Sequence, residues 1–159
     1  MDLSAYKHRK MQKRTIHNLV WIPMLLIGMT ALALGLEWCF HPEPWLLDQR
    51  PNEALLQTSF NTLFAEKINA QLPEYLTVIY RFFGLWLTSI GLLIISYVQV
   101  TRMGTSLARN ILLGVMFIVL VGIYYLMLNF IPTSPFLPLV HVLTILWITS
   151  TYFSIFLKK

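Results

Sequence analysis

ILLGVMFIVLVGIYYLMLNF, residues 111–130, runs for twenty residues without a charge. Arg102 and Arg109 stand before it, and Pro132 and Pro135 stand after it. A transmembrane helix needs about 20 mostly apolar residues to cross roughly 30 Å of hydrocarbon. A helix that is apolar all round must be covered on every side, by a large core or by lipid. A chain of 159 residues has too little else to wrap such a segment, so the bilayer is the expected solvent.

Working outward, three more runs resemble it. The spans fall at about residues 18–38, 75–100, 110–131 and 139–157. A basic tail, 1–17, precedes the first, and a long polar loop, 39–73, separates the first two. The expected fold is all-α: one four-helix membrane domain over 18–157. Within the loop, Pro51 and Asn52 open a short amphipathic helix that places Leu56, Phe60, Leu63, Phe64 and Ile68 at helical spacing. A helix of that kind lies on a surface and does not span. Three prolines within residues 131–138, IPTSPFLP, force a tight turn before the last span.

Composition agrees. The chain is 57% hydrophobic and 12% charged, with mean hydropathy +0.64. A soluble domain carries about 25% charged residues, and half that fraction cannot cover a water-facing surface. The single cysteine, Cys39, excludes an internal disulfide and any multi-cysteine metal site. The net charge of +5 sits at the ends of apolar runs, which is a topology signal, so nucleic acid is not an expected partner.

Orientation follows from where the cations lie. Lys7, Arg9, Lys10, Lys13 and Arg14 in the tail, Arg102 and Arg109 in the 101–110 loop, and Lys158 and Lys159 at the end make nine of twelve on one side. Arg50, Lys67 and Arg81 fall on the other side, with six of the seven acids. The positive-inside rule then places both termini in the cytoplasm and the long loop outside. Trp21, Trp38, Trp45, Tyr75 and Tyr97 fall near the predicted interfaces, as an aromatic belt would. A basic region, an apolar run and Ala31-Leu32-Ala33 also suggest a signal peptide, but the apolar run continues past that point and an uncleaved first span is expected.

Small residues mark where helices approach one another. Ala31 with Gly35, and Gly84 with Thr88, are small-xxx-small pairs, and Ser150 with Ser154 gives the last span a small face. Pro23 is read as lying in the first turn or two of the first span.

The polar residues of the spans collect at their outer ends. Glu37 closes the first, Arg81 opens the second, Asn129 closes the third and His141 opens the fourth. Ionisable groups within a span are costly and usually face the bundle interior with a partner. Arg81 with Glu37 is the natural pair, with Glu74 the runner-up. The functional reading is an outward-opening pocket lined by Arg81, Glu37, Asn129 and His141, floored by Tyr124, Tyr125 and Trp86, for a lipophilic ligand of lipid or quinone type. The competing reading is structural: Arg81 snorkels to the interface, or the Arg–Glu pair only ties two helices. A second functional class, an enzyme on a lipophilic substrate, would use Glu37 and His141 as acid and base. No nucleotide, hydrolase or metalloprotease motif is present, and no cofactor, metal or catalytic residue is expected. The expected partners are membrane lipid and a larger membrane complex or quinone.

Two pieces carry a family resemblance: GLEWCFHPEPWLL at residues 35–47 and YRFFGLWLTSIGLL at 80–93. In these the chain resembles the DoxX-like group of small bacterial four-helix membrane proteins. The resemblance implies a multi-pass protein of the bacterial inner membrane, with a loose association to quinone-linked redox complexes in some members. It implies no catalytic residues. The layout is also similar to the four-helix fold of sterol-isomerase-like and sigma-2-receptor-like proteins.

Overall fold

A computed structural model of the chain describes residues 3–157, with side chains from residue 11 onward. The side chains of Lys7, Arg9 and Lys10, and all of Lys158 and Lys159, lie outside the described residues. The described residues form six helices: α1 (Leu3–Phe40), α2 (Gln49–Leu56), α3 (Phe60–Ala65), α4 (Leu72–Thr101), α5 (Ser106–Phe130) and α6 (Leu137–Phe156). Two 3₁₀ turns, Pro44–Asp48 and Lys67–Asn69, complete the connection between α1 and α4. Four stretches are long and apolar enough to cross a membrane: Met11–Phe40, Lys67–Thr101, Ser106–Phe130 and Leu137–Phe156. The fold is therefore an all-α, four-helix, multi-pass membrane bundle.

α1 extends the first span backward through the basic tail. Pro23 consequently lies deep inside a 38-residue helix, not near its start. The polar, basic residues before the apolar run are helical too, so the helix starts well ahead of the span. Pro23 is buried among neighbouring helices, the setting in which membrane helices tolerate proline.

α1 is the most extensively packed helix of the bundle. α1 packs along α4 and also against α6, and α5 packs against α6. The α1–α4 seam is nearly backbone on backbone. A Cβ on Gly35 would meet the backbone nitrogen and hydroxyl of Thr88 and lie 2.7 Å from the Gly84 carbonyl oxygen. A Cβ on Gly84 would lie 2.7 Å from the Gly35 carbonyl oxygen, and one on Gly91 2.8 Å from that of Gly28. Gly28 and Gly35 sit two helical turns apart, as do Gly84 and Gly91, so each pair lies on one face. The approach runs antiparallel. The sequence motifs expected here used a spacing of four, and Gly35, Gly84 and Thr88 do meet. The seam itself repeats at seven.

Below this seam, Val20, Met24 and Ile27 of α1, Ile94 and Val98 of α4, Met103, and Leu112, Leu113 and Met116 of α5 form one buried cluster. A second cluster, built on Leu120, Met127 and Val140, joins α5 to α6 alone. Ser150 is fully buried and donates to the Val20 carbonyl at 2.7 Å, fixing α6 on α1. The small face expected on the last span is thus a contact surface.

The short amphipathic helix expected in the loop is present in two pieces. Gln57 turns left-handed at φ 53° and ends α2. Ser59 then caps α3 by accepting from Thr62 N–H. The Glu53 carboxylate bridges the break, accepting from Phe60 N–H at 2.8 Å and from the Gln49 amide at 3.0 Å. Trp45 anchors the loop from below, buried and edge-on to Phe64 at 5.9 Å.

Candidate functional site

The seven residues expected at the outer end separate into groups. Tyr124 and His141 come together: the phenol oxygen lies 2.7 Å from His141 Nδ1 and 3.1 Å from Thr144 Oγ1. The rings stack with centroids 5.6 Å apart. α5 carries Tyr124 down past α6, while Pro138 near the start of α6 sets the turn that aligns His141 and Thr144 one helical step apart. The phenol bond takes Nδ1 of an exposed imidazole, leaving Nε2 as its outward edge.

The other five do not join this network. Glu37 in the last turn of α1 and Arg81 in α4 are both exposed. Among the described residues no side-chain hydrogen bond links them; at that level Cys39 Sγ instead donates to the Arg81 carbonyl at 3.6 Å. Asn129 folds back on its own helix, donating to the Tyr125 carbonyl at 2.7 Å. Tyr125 and Trp86 are exposed, each edge-on to a ring of its own helix, Phe130 and Phe82.

What occupies the outer end between the helices is Trp38. It is 4% exposed and wedged between Phe83 of α4, at 5.0 Å, and Phe136 of the α5–α6 turn, at 4.9 Å. The belt role expected for Trp38 and Trp45 therefore does not hold, since both are packed inside the protein. Trp38 faces inward because Gly84 leaves room for its Cβ. Its indole N–H is buried without a hydrogen-bond partner. Such an orphan donor is uncommon, because burying an unbonded polar group costs about 1–3 kcal/mol.

A second polar centre lies at the opposite end, around a residue that the sequence marks only as a topology charge. Arg109, in the first turn of α5, is 4% exposed. Its Nε donates to Ser154 Oγ at 3.1 Å, its Nη1 to the carbonyls of Met103 and Gly104 at 3.3 and 3.0 Å, and its Nη2 to the Leu157 carbonyl at 2.9 Å. The guanidinium thus closes the chain just past the ends of α4 and α6, where helix dipoles favour a cation. Thr105 positions it by capping α5, accepting from Ala108 N–H. The loop is correspondingly tight: Arg102 and Met103 adopt left-handed backbone at φ 47° and 51°. That conformation costs roughly 1–2 kcal/mol per residue. It is offset by burying Met103 completely and by seating Arg102 over Trp21, 4.9 Å from its ring. Trp21, Arg102, Arg109 and Leu157 accordingly share one end of the bundle, the end that the sequence count makes basic.

The loop between α1 and α4 holds a third polar group. Asn52 donates to the Tyr80 hydroxyl. Together with Leu55, Phe60, Leu63 and Leu76 these two line a groove of about 250 Å³. Asp48 is half-buried beside it with one carboxylate oxygen unpartnered, and burial pushes its carboxyl above the ordinary 3.8. Glu53 goes the other way, held below its ordinary 4.5 by the bonds from Gln49 and the Phe60 backbone. Among the described residues no three of the His, Cys, Asp and Glu side chains converge as metal ligands would.

Compared with known proteins, the chain matches no family model, no curated protein and no solved structure.

Proposed function

We propose that this protein is a non-catalytic component of the bacterial inner membrane that binds a lipophilic, carbonyl-bearing molecule of quinone or lipid type at its outer end. The observation that carries the reading is the Tyr124–His141 hydrogen bond. It fixes an imidazole at the rim of an apolar helix pair with one ring nitrogen still unshared. A group of that kind can donate to a carbonyl oxygen while the flanking α5–α6 surface covers an apolar tail. The orphan indole N–H of Trp38, at the same end, is a further donor without an acceptor. An accessory role in a larger membrane complex and the DoxX-like resemblance belong to the same proposal. Glu37 takes no part in it. The enzyme alternative, with Glu37 and His141 as acid and base, has no bond between those side chains to rest on among the described residues.

The test is purification in mild detergent followed by mass spectrometry of co-eluting quinones and lipids. His141→Ala and Tyr124→Phe should each reduce the bound species by about tenfold, the effect of losing roughly 1.4 kcal/mol. Wild type and both variants carrying identical lipid profiles would overturn the reading.

A further inference from the structure

A groove of about 520 Å³ runs between α5 and α6 at the basic end of the bundle. One end of it is polar, lined by Ser106, Arg109 and Asn110, and the other is apolar, lined by Gly114, Phe117 and Trp147. Ser106 and Phe117 lie roughly 16 Å apart along a helix that rises 1.5 Å per residue. That is about half of the ~30 Å hydrocarbon core, the depth of one leaflet. Phe117 and Trp147 stack at 5.6 Å to make the floor, and Trp147 is held there by donating to the Leu113 carbonyl at 2.9 Å. Gly114 keeps the groove open, since a Cβ on it would meet nothing within 4 Å.

The polar end carries an unbalanced charge. All four hydrogen bonds from Arg109 go to uncharged acceptors, one hydroxyl and three backbone carbonyls. A guanidinium has five N–H donors, so one on Nη2 has no acceptor among the described residues. A buried charge is costly unless it meets its opposite, and no carboxylate among the described residues bonds to Arg109. The groove is the side from which a counter-ion can approach. A free anion would leave its apolar length unused, whereas an anionic head on an acyl chain fills both halves.

We propose that the α5–α6 groove binds one anionic phospholipid of the surrounding bilayer. Its phosphate would meet Arg109, Ser106 and Asn110, and an acyl chain would lie along Gly114 and Phe117. The site is at the opposite end from Tyr124 and His141 and does not depend on a ligand there.

The experiment is native mass spectrometry and thermal unfolding of the purified full chain in detergent. The probes are phosphatidylglycerol, phosphatidylcholine and inorganic phosphate, added separately. Phosphatidylglycerol should be retained about fivefold over phosphatidylcholine, the preference that one arginine near an anionic lipid gives. Arg109→Gln also severs ties within the fold, so Gly114→Leu carries the test. It should fill the groove, abolish phosphatidylglycerol retention and leave the unfolding temperature without added lipid unchanged. Equal retention of the two lipids, undiminished retention by Gly114→Leu, or a thermal shift reproduced by inorganic phosphate alone would each overturn the proposal.

Discussion

Gly35 and Gly84 touch through their backbones: a Cβ built on either would sit 2.7 Å from the carbonyl oxygen of the other. Neither contact can be relieved by a side-chain rotation, because the opposing atoms are main chain. Gly35→Ala and Gly84→Ala should therefore force α1 and α4 apart and destabilise by about 1–3 kcal/mol, the usual cost of overpacking. Gly122→Ala is the control, since its Cβ would meet nothing within 4 Å. Thermal unfolding in detergent should show a lower midpoint for the first two variants and none for the third.

Arg109 ties the start of α5 to the ends of α4 and α6. Arg109→Met would strip hydrogen bonds from the carbonyls of Met103, Gly104 and Leu157. A buried group left unsatisfied costs roughly 1–3 kcal/mol, so a total loss of about 3 kcal/mol is expected. Arg109→Lys should recover part of it, because an ammonium donates to carbonyls but cannot fork across them. Denaturation in mixed micelles would rank the three proteins; equal stability of Arg109→Met and wild type would contradict this account.

Ser150 separates bond from space. Removing its hydroxyl in Ser150→Ala loses one interhelical hydrogen bond to Val20. In membrane proteins that averages about 0.6 kcal/mol, so the change should be small. Ser150→Leu must instead push a larger side chain into a site with no exposed surface. It should cost about 1–3 kcal/mol and loosen α6 from α1. Cysteine crosslinking between α1 and α6 would report the loosening.

The loop between α1 and α4 should respond to acid in two steps of opposite sign. Asp48 titrates above its ordinary 3.8 in the folded loop, so its ionised form opposes folding at neutral pH. That penalty disappears as pH falls through the folded value toward 3.8. Glu53 titrates below its ordinary 4.5, so its contribution is present above 4.5 and is lost only as pH falls through its lower folded value. Loop stability should thus rise on mild acidification and fall on stronger acidification. Asp48→Asn should remove the rise and leave the fall. Hydrogen exchange of the α2 and α3 amides across pH 3–7 would show both limbs.

The spans were legible because hydrocarbon imposes a length and excludes charge, and residues 111–130 satisfy both without reference to any neighbour. Helix contacts were legible in part. Gly35, Gly84 and Thr88 stood out as small, but only the assembled seam distinguishes a repeat of seven from a repeat of four. Of the expected site, Tyr124 and His141 meet because a single turn separates their helices. Glu37 and Arg81 share a level in the membrane, yet facing is a property of helix rotation, which hydropathy does not carry. Arg109 was hidden for a similar reason. A cation next to a span looks the same in sequence whether it reaches into lipid headgroups or folds beneath the ends of two other helices. The inward packing of Trp38 is not legible because an aromatic residue at an interface can point either way, and the glycine that admits it lies 46 positions later in the chain.

The pairing of α1 with α4 and of α5 with α6 has a consequence for biosynthesis. Each pair consists of consecutive spans, so a helical hairpin can close while the ribosome is still making the remainder. The first hairpin needs only the chain through Thr101 to complete its glycine seam. Ser150 lies in the last span, so its bond to Val20, which joins the two pairs, can form only after all four spans have been made. The docking of the last span on the first is therefore the closing step of assembly.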